Sequence, residues 1–187
     1  MKRKLDPELL RAMEASVKDD ADFELAVANK MWRPAITRAA APWCDVKEMS
    51  NKNDGPYVDL IGLTVDRKHT GEAYCLAWVQ TVLAFVEYKL QIESILKATE
   101  GCLDLWNSAP PAMKTTRYPL PGYIAIWQHG QSPAGHAGIV MKVNEVYFKC
   151  LEANSIGPDG TTHGIFMHER LFNDDGNMRL LGFISPF

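Results

Sequence analysis

The hydrophobic period of this chain changes once, at Pro121-Gly122, and nothing else in the sequence limits the fold as much. Upstream, apolar residues recur three and four apart, as on a helix; downstream they form short runs and alternations, as in strands. Asp6-Pro7 supplies a cap and a first-position proline for a helix over residues 5–18, striped by Leu5, Leu9, Leu10, Met13 and Val17. A second helix is expected from about Asp20 to Trp32, ended by Pro34. Residues 35–56 mix Ala, Pro and polar residues and close on the loop signal Ser50-Asn51-Lys52-Asn53-Asp54-Gly55-Pro56. Tyr57 to Leu63 reads as helical or extended. A helix led in by Thr70-Gly71-Glu72 runs through Cys75 to about Leu90, and another over residues 92–107 is interrupted near Gly101. Pro110, Pro111, Pro119 and Pro121 stiffen the connection that follows. Strands then come at Tyr123–Trp127, Ala137–Val143 and Val146–Leu151, the last two joined by an Asn144-Glu145 hairpin. Phe166-Met167 and Leu180–Ile184 close the sheet. The fold class is α+β, with N-terminal helices packed on a C-terminal antiparallel sheet.

Composition narrows the functions. With 187 residues, 47% of them hydrophobic, the chain is long enough for a substantial core. A formal net charge of −3 gives no basic stripe to neutralise phosphates, which excludes nucleic acid as the main partner. Cys44, Cys75, Cys102 and Cys150 contain no C-x-x-C pair, so neither a zinc knuckle nor a redox motif is present and free thiols are expected. There is no His-Glu-x-x-His, His163 and His168 do not fit helical ligand spacing, and Asp54, Asp59 and Asp66 lack EF-hand spacing. No metal and no cofactor are expected. No window approaches 18 apolar residues, so no membrane insertion is expected. Met1-Lys2-Arg3-Lys4 resembles the start of a signal peptide, but Leu5-Asp6-Pro7-Glu8 turns charged at once, so the expectation is synthesis in the cytoplasm without such a signal.

Cys75 stands in the first turn of its helix, ahead of the buried stripe Trp78, Val79, Val82 and Val86. Unpaired backbone N–H groups and the positive end of the macrodipole favour thiolate there, and Glu72 is expected to sit in that first turn. A thiol hydrolase also needs an imidazole and a polar group to orient it. Among five histidines, His136 lies at the mouth of a buried strand, flanked by Gly135, Ala137 and Gly138, whose minimal side chains allow close approach. Glu152 and Asn154 are two apart, so in a strand both face one way, and either is placed to fix the His136 tautomer. The oxyanion would be met by the Cys75 N–H, with the Asn154 side chain as a second donor.

Gly71-Glu72-Ala73-Tyr74-Cys75, Pro121-Gly122-Tyr123, Gly135-His136-Ala137-Gly138-Ile139-Val140 and Glu152-Ala153-Asn154 follow one another in the order of the motifs of the CHAP amidohydrolase/peptidase family, within the NlpC-type papain-like clan. The chain resembles that family over about residues 50–160. It departs in two places: Tyr123 stands where the family has the aspartate of Pro-Gly-Asp, and the first 45 or so residues have no counterpart. The resemblance implies a helical N-terminal extension over residues 1–48 and a CHAP-like catalytic domain over 49–187. It further implies a monomeric hydrolase of amide bonds in the peptide of peptidoglycan, either an N-acetylmuramoyl-L-alanine amidase or an endopeptidase. Cys75 would be its nucleophile, His136 its base and acid, and Glu152 or Asn154 the orienting group. Without a signal peptide, a phage lysin reaching the wall by holin-type release, or an injected effector, is expected. The alternatives are a secreted thiol deamidase or toxin acting on protein amides, and an inactive phage structural or wall-binding module.

Overall fold

The computed structural model describes residues 2–172 and 177–187. Helix α1 (Pro7–Ser16) is capped by Asp6, whose carboxylate accepts from the Glu8 N–H. Helix α2 (Ala21–Ala28) is capped in the same way, by Asp20 on the Phe23 N–H. Pro34 does not end this helix, which stops at Ala28. It lies in the first turn of α3 (Trp32–Ala40), where a missing N–H costs no intrahelical bond. Tyr57–Leu63 resolves as α4 (Pro56–Gly62).

Helix α5 (Cys75–Leu90) begins at Cys75 rather than at Thr70 or Gly71. Glu72 is therefore not in its first turn; that carboxylate takes the backbone N–H and hydroxyl of Thr70 and shapes the preceding loop. Of the helix expected over 92–107 only α6 (Cys102–Ser108) forms. The chain before it is held by side chains instead of a helical ladder. Gln80 Nε2 donates to the carbonyls of Lys97 and Thr99, Arg3 donates to that of Leu96, and Glu87 accepts the Ser94 N–H.

The strands are β1 (Lys114–Thr115), β2 (Ile124–His129), β3 (Gly135–Val143), β4 (Tyr147–Ile156), β5 (His163–Leu171) and β6 (Met178–Ile184). They form one antiparallel sheet in the order β1-β6-β2-β3-β4-β5, so the expected α+β class holds. Period-two alternation splits the sheet's apolar residues. Ile124, Ile126, Ala137, Ile139, Leu151 and Ala153 join the helices in the main core, and Ala125, Trp127, Val140, Phe148, Cys150 and Phe183 form a second cluster. Helix α5 is buried on every side from Cys75 to Val86, not along one stripe, because other helices cover the side away from the sheet. Leu9, Met13, Phe23 and Ile36 belong to that same core, and Phe23 stacks on Phe85 with ring centroids 5.8 Å apart.

Candidate active site

Cys75 is the first residue of α5, and among the described residues no side chain caps that helix, so its leading N–H groups stay available. The thiol lies against the start of β3, where it meets the His136 ring and the Ala137 N–H. The paired register between β3 and β4 begins only at Ile139–Leu151, which leaves this end of β3 open to the helix terminus. The Cys102 sulfur, at the first position of α6, is 3.8 Å from that of Cys75. All four cysteines are free.

His136 sits opposite Trp127 in the β2–β3 ladder, with ring centroids 5.8 Å apart. Its Nε2–H donates to Glu152 Oε2 over 2.9 Å, which leaves Nδ1 as the nitrogen for the thiol. The glycines around it are spatial requirements. A Cβ on Gly138 would stand 2.5 Å from Cys150 Sγ and 2.6 Å from Glu152 Cγ, and one on Gly135 would stand 2.9 Å from Cys102 Cβ. Glu152 is fully buried and is gripped from the other side by Arg170, whose Nε donates to Oε1 over 2.8 Å and Nη2 to Oε2 over 2.6 Å. The same guanidinium lies 5.6 Å from the Trp127 ring centre. Cys75 and His136 keep 4% and 7% exposure against none for Glu152, so any approach to the site meets the thiol and imidazole before the acid.

The charges alternate along this row. Hydrogen bonding from Cys102 pulls the Cys75 thiol well below its ordinary range; burial opposes this, and the facing His136 charge adds to it. Burial alone would lower His136, but the Cys75 thiolate and the Glu152 carboxylate outweigh it and push the imidazole up to about 10. Burial likewise works against ionised Glu152, yet Arg170 and His136 bring it down to about 2. Cys102 is held as a thiol by its bond to the neighbouring sulfur and by burial. At neutral pH the row reads thiolate, imidazolium, carboxylate, guanidinium, and its charges cancel.

The CHAP domain family matches residues 67–154. The chain carries a CHAP domain. The matched stretch holds Cys75, His136, Glu152 and Asn154, and the class of chemistry that comes with it is amidase or peptidase hydrolysis of peptidoglycan-like substrates. No curated protein and no solved structure matches the chain.

Within this CHAP domain the structure brings Cys75, His136 and Glu152 together and leaves Asn154 apart from them. The expectation that Glu152 and Asn154 share a face is corrected by a bulge in β4 after Glu152, where Asn154 takes a left-handed φ of 53°. Its Nδ2 donates to Asn53 Oδ1 over 2.6 Å. Asn53 in turn donates to the Gly71 carbonyl and, through its backbone N–H, to Glu48, which also accepts from the Tyr74 hydroxyl. Asn154 thus belongs to a second network that braces the turn ahead of Cys75. Arg170 and Cys102 were not among the residues the sequence singled out. Arg170 carries no spacing signal to Glu152, since the β4–β5 register sets it opposite Phe148 and only its long side chain reaches the carboxylate, and Cys102 is separated from Cys75 by the whole of α5. Among the described residues, no cluster of three or more His, Cys, Asp or Glu side chains is placed to hold a metal ion.

Proposed function

We propose that this chain hydrolyses an amide bond in the peptide of peptidoglycan by thiol catalysis, in the manner of a phage lysin. The observation that carries the reading is the contact row Cys75, His136, Glu152 at an uncapped helix terminus. The Cys75 thiolate attacks the carbonyl carbon, and the Cys75 N–H donates to the developing oxyanion. His136, already protonated, gives its proton to the departing amine, and a thioester remains on Cys75. Water then attacks the thioester, with His136 taking its proton as base. The product acid leaves and the thiolate–imidazolium pair is restored. Glu152 keeps the imidazole oriented and its charge compensated, and Arg170 keeps Glu152 ionised, which makes Arg170 a positioning residue.

The test is digestion of purified sacculi with mass spectrometry of the released fragments, for the wild type and Cys75→Ala. The wild type is expected to release fragments with a new amine at a single type of amide bond, which also separates amidase from endopeptidase. Cys75→Ala is expected to fold and to lose at least ~10³-fold in rate, as removal of a triad nucleophile does. Wild-type digestion by the variant, or ammonia release from protein with sacculi untouched, contradicts the reading.

A further inference from the structure

The mechanism needs one cysteine at the site, and the fold supplies two. Cys102 Sγ lies 3.8 Å from Cys75 Sγ, on a different helix, with both residues nearly buried. A disulfide needs the sulfurs about 1.8 Å closer, a distance within reach of side-chain rotation on two short side chains. The approach is built in, because Gly135 opens the space beside Cys102: any side chain there would press on the Cys102 Cβ. The other two thiols are differently placed. Cys150 Sγ faces Gly138 in the sheet and Cys44 sits after the turn Ala41–Trp43.

We propose that Cys75 and Cys102 form an oxidation site for hydroperoxides, at which Cys102 traps the oxidised nucleophile as a disulfide. The Cys75 thiolate attacks the terminal peroxide oxygen and the O–O bond breaks. Cys75 becomes a sulfenic acid, and the departing alkoxide or hydroxide takes up a proton to leave as alcohol or water. The Cys102 sulfur then attacks the Cys75 sulfur, its proton leaves with the hydroxyl as water, and the S–S bond forms. Two thiols are oxidised by two electrons and one peroxide is reduced. A depressed thiol beside a protonated one is the pairing this sequence of steps needs, one sulfur to react and one to resolve. The disulfide removes the nucleophile and spares it from irreversible sulfinic acid, and a dithiol reductant returns it. That consequence for activity rests on the reading of Cys75 as the nucleophile; the cross-link itself does not.

The experiment treats the wild type, Cys102→Ser and Cys75→Ala with hydrogen peroxide and follows intact mass, the digest and sacculus hydrolysis before and after dithiothreitol. The wild type is expected to lose about two mass units, to yield a peptide linking Cys75 to Cys102, and to lose activity that the reductant restores to within about twofold. Cys102→Ser, compared with its own untreated rate, is expected to gain oxygen at Cys75 and to recover little. Cys75→Ala is expected to form no bridge to Cys102. Wild-type digests showing sulfinic Cys75 with no Cys75–Cys102 peptide, or a bridge to Cys44 or Cys150 instead, overturn the proposal. If the cross-link forms but sacculi are never cleaved, the oxidation site stands and the hydrolase reading fails; cleavage without the cross-link gives the reverse.

Discussion

A carboxylate without solvent exposure costs several kcal/mol to keep ionised unless it is paired, and Glu152 has no exposure. His136 at one oxygen and Arg170 across both hold its charge. Removing the guanidinium leaves the buried charge facing His136, whose own protonation depends on it. Arg170→Met is therefore expected to cost about 3 kcal/mol of stability and to lower kcat at least tenfold, because a protonated Glu152 no longer favours imidazolium at His136. Denaturant unfolding and steady-state kinetics read the two effects separately, and a stability loss with kcat intact would remove Arg170 from the positioning role. The same reasoning ranks the two polar residues of the Glu152-Ala153-Asn154 segment. Glu152→Ala should lower kcat more than Asn154→Ala, since the Asn154 amide donates to Asn53 while Glu152 accepts from His136. The reverse order would make Asn154 the orienting group.

At the scale of elements, the site depends on three strands and two helix starts meeting closely, and Gly138 is the narrowest point. Alanine there would place a methyl against Cys150 Sγ, Glu152 Cγ and the Leu151 carbonyl at 3.0 Å or less. Backbone on one side and a fully buried side chain on the other have little freedom to give. Gly138→Ala is expected to destabilise by roughly 1–3 kcal/mol and to raise the Glu152–His136 separation, lowering kcat in the fraction that folds. A variant with wild-type melting and kinetics would show that β3 and β4 yield more easily than their packing indicates. The glycines on either side of His136 were legible in the sequence as close-approach positions, and the cap Asp6 marked its helix. The parting of Asn154 from Glu152 was not legible, because a bulge breaks the two-residue alternation without a sequence sign beyond Asn154's tolerance of positive φ. The segment after Leu90 misled for a different reason: its apolar spacing is helical, but its backbone is captured by Gln80, Arg3 and Glu87 from elsewhere in the fold.

At the scale of the molecule, the first forty residues and the matched domain share one core. Leu9, Met13, Val17, Phe23 and Ile36 are each at most 2% exposed. Burial at about 1.5–3 kcal/mol per large side chain makes their joint contribution on the order of 10 kcal/mol, comparable to the whole stability of an ordinary domain. Expression of residues 49–187 alone is thus expected to give a chain without a cooperative unfolding transition. A soluble fragment that melts like the full chain would show the N-terminal helices to be dispensable. The sequence marked Leu9, Met13 and Val17 as one amphipathic stripe and Phe23 as part of a second helix, but it read Ile36 as irregular where a helix forms, and the stripe does not name its partner. Cys102 and Arg170 were hidden in the same way, each joined to the site only by tertiary pairing.

Cys75 as a reachable thiolate held by a protonated His136 is checked by the rate of iodoacetamide modification at Cys75 as a function of pH, read peptide by peptide, with Cys44 as internal reference. Burial pushes the Cys44 thiol up, so its labelling should climb steeply toward and beyond the ordinary thiol value of 9.0. Cys75 should label in the folded protein at a rate nearly independent of pH from neutrality to 9.0, changing only as His136 gives up its proton near about 10. A Cys75 rate that rises in step with that of Cys44, or labelling only after unfolding, would contradict the account.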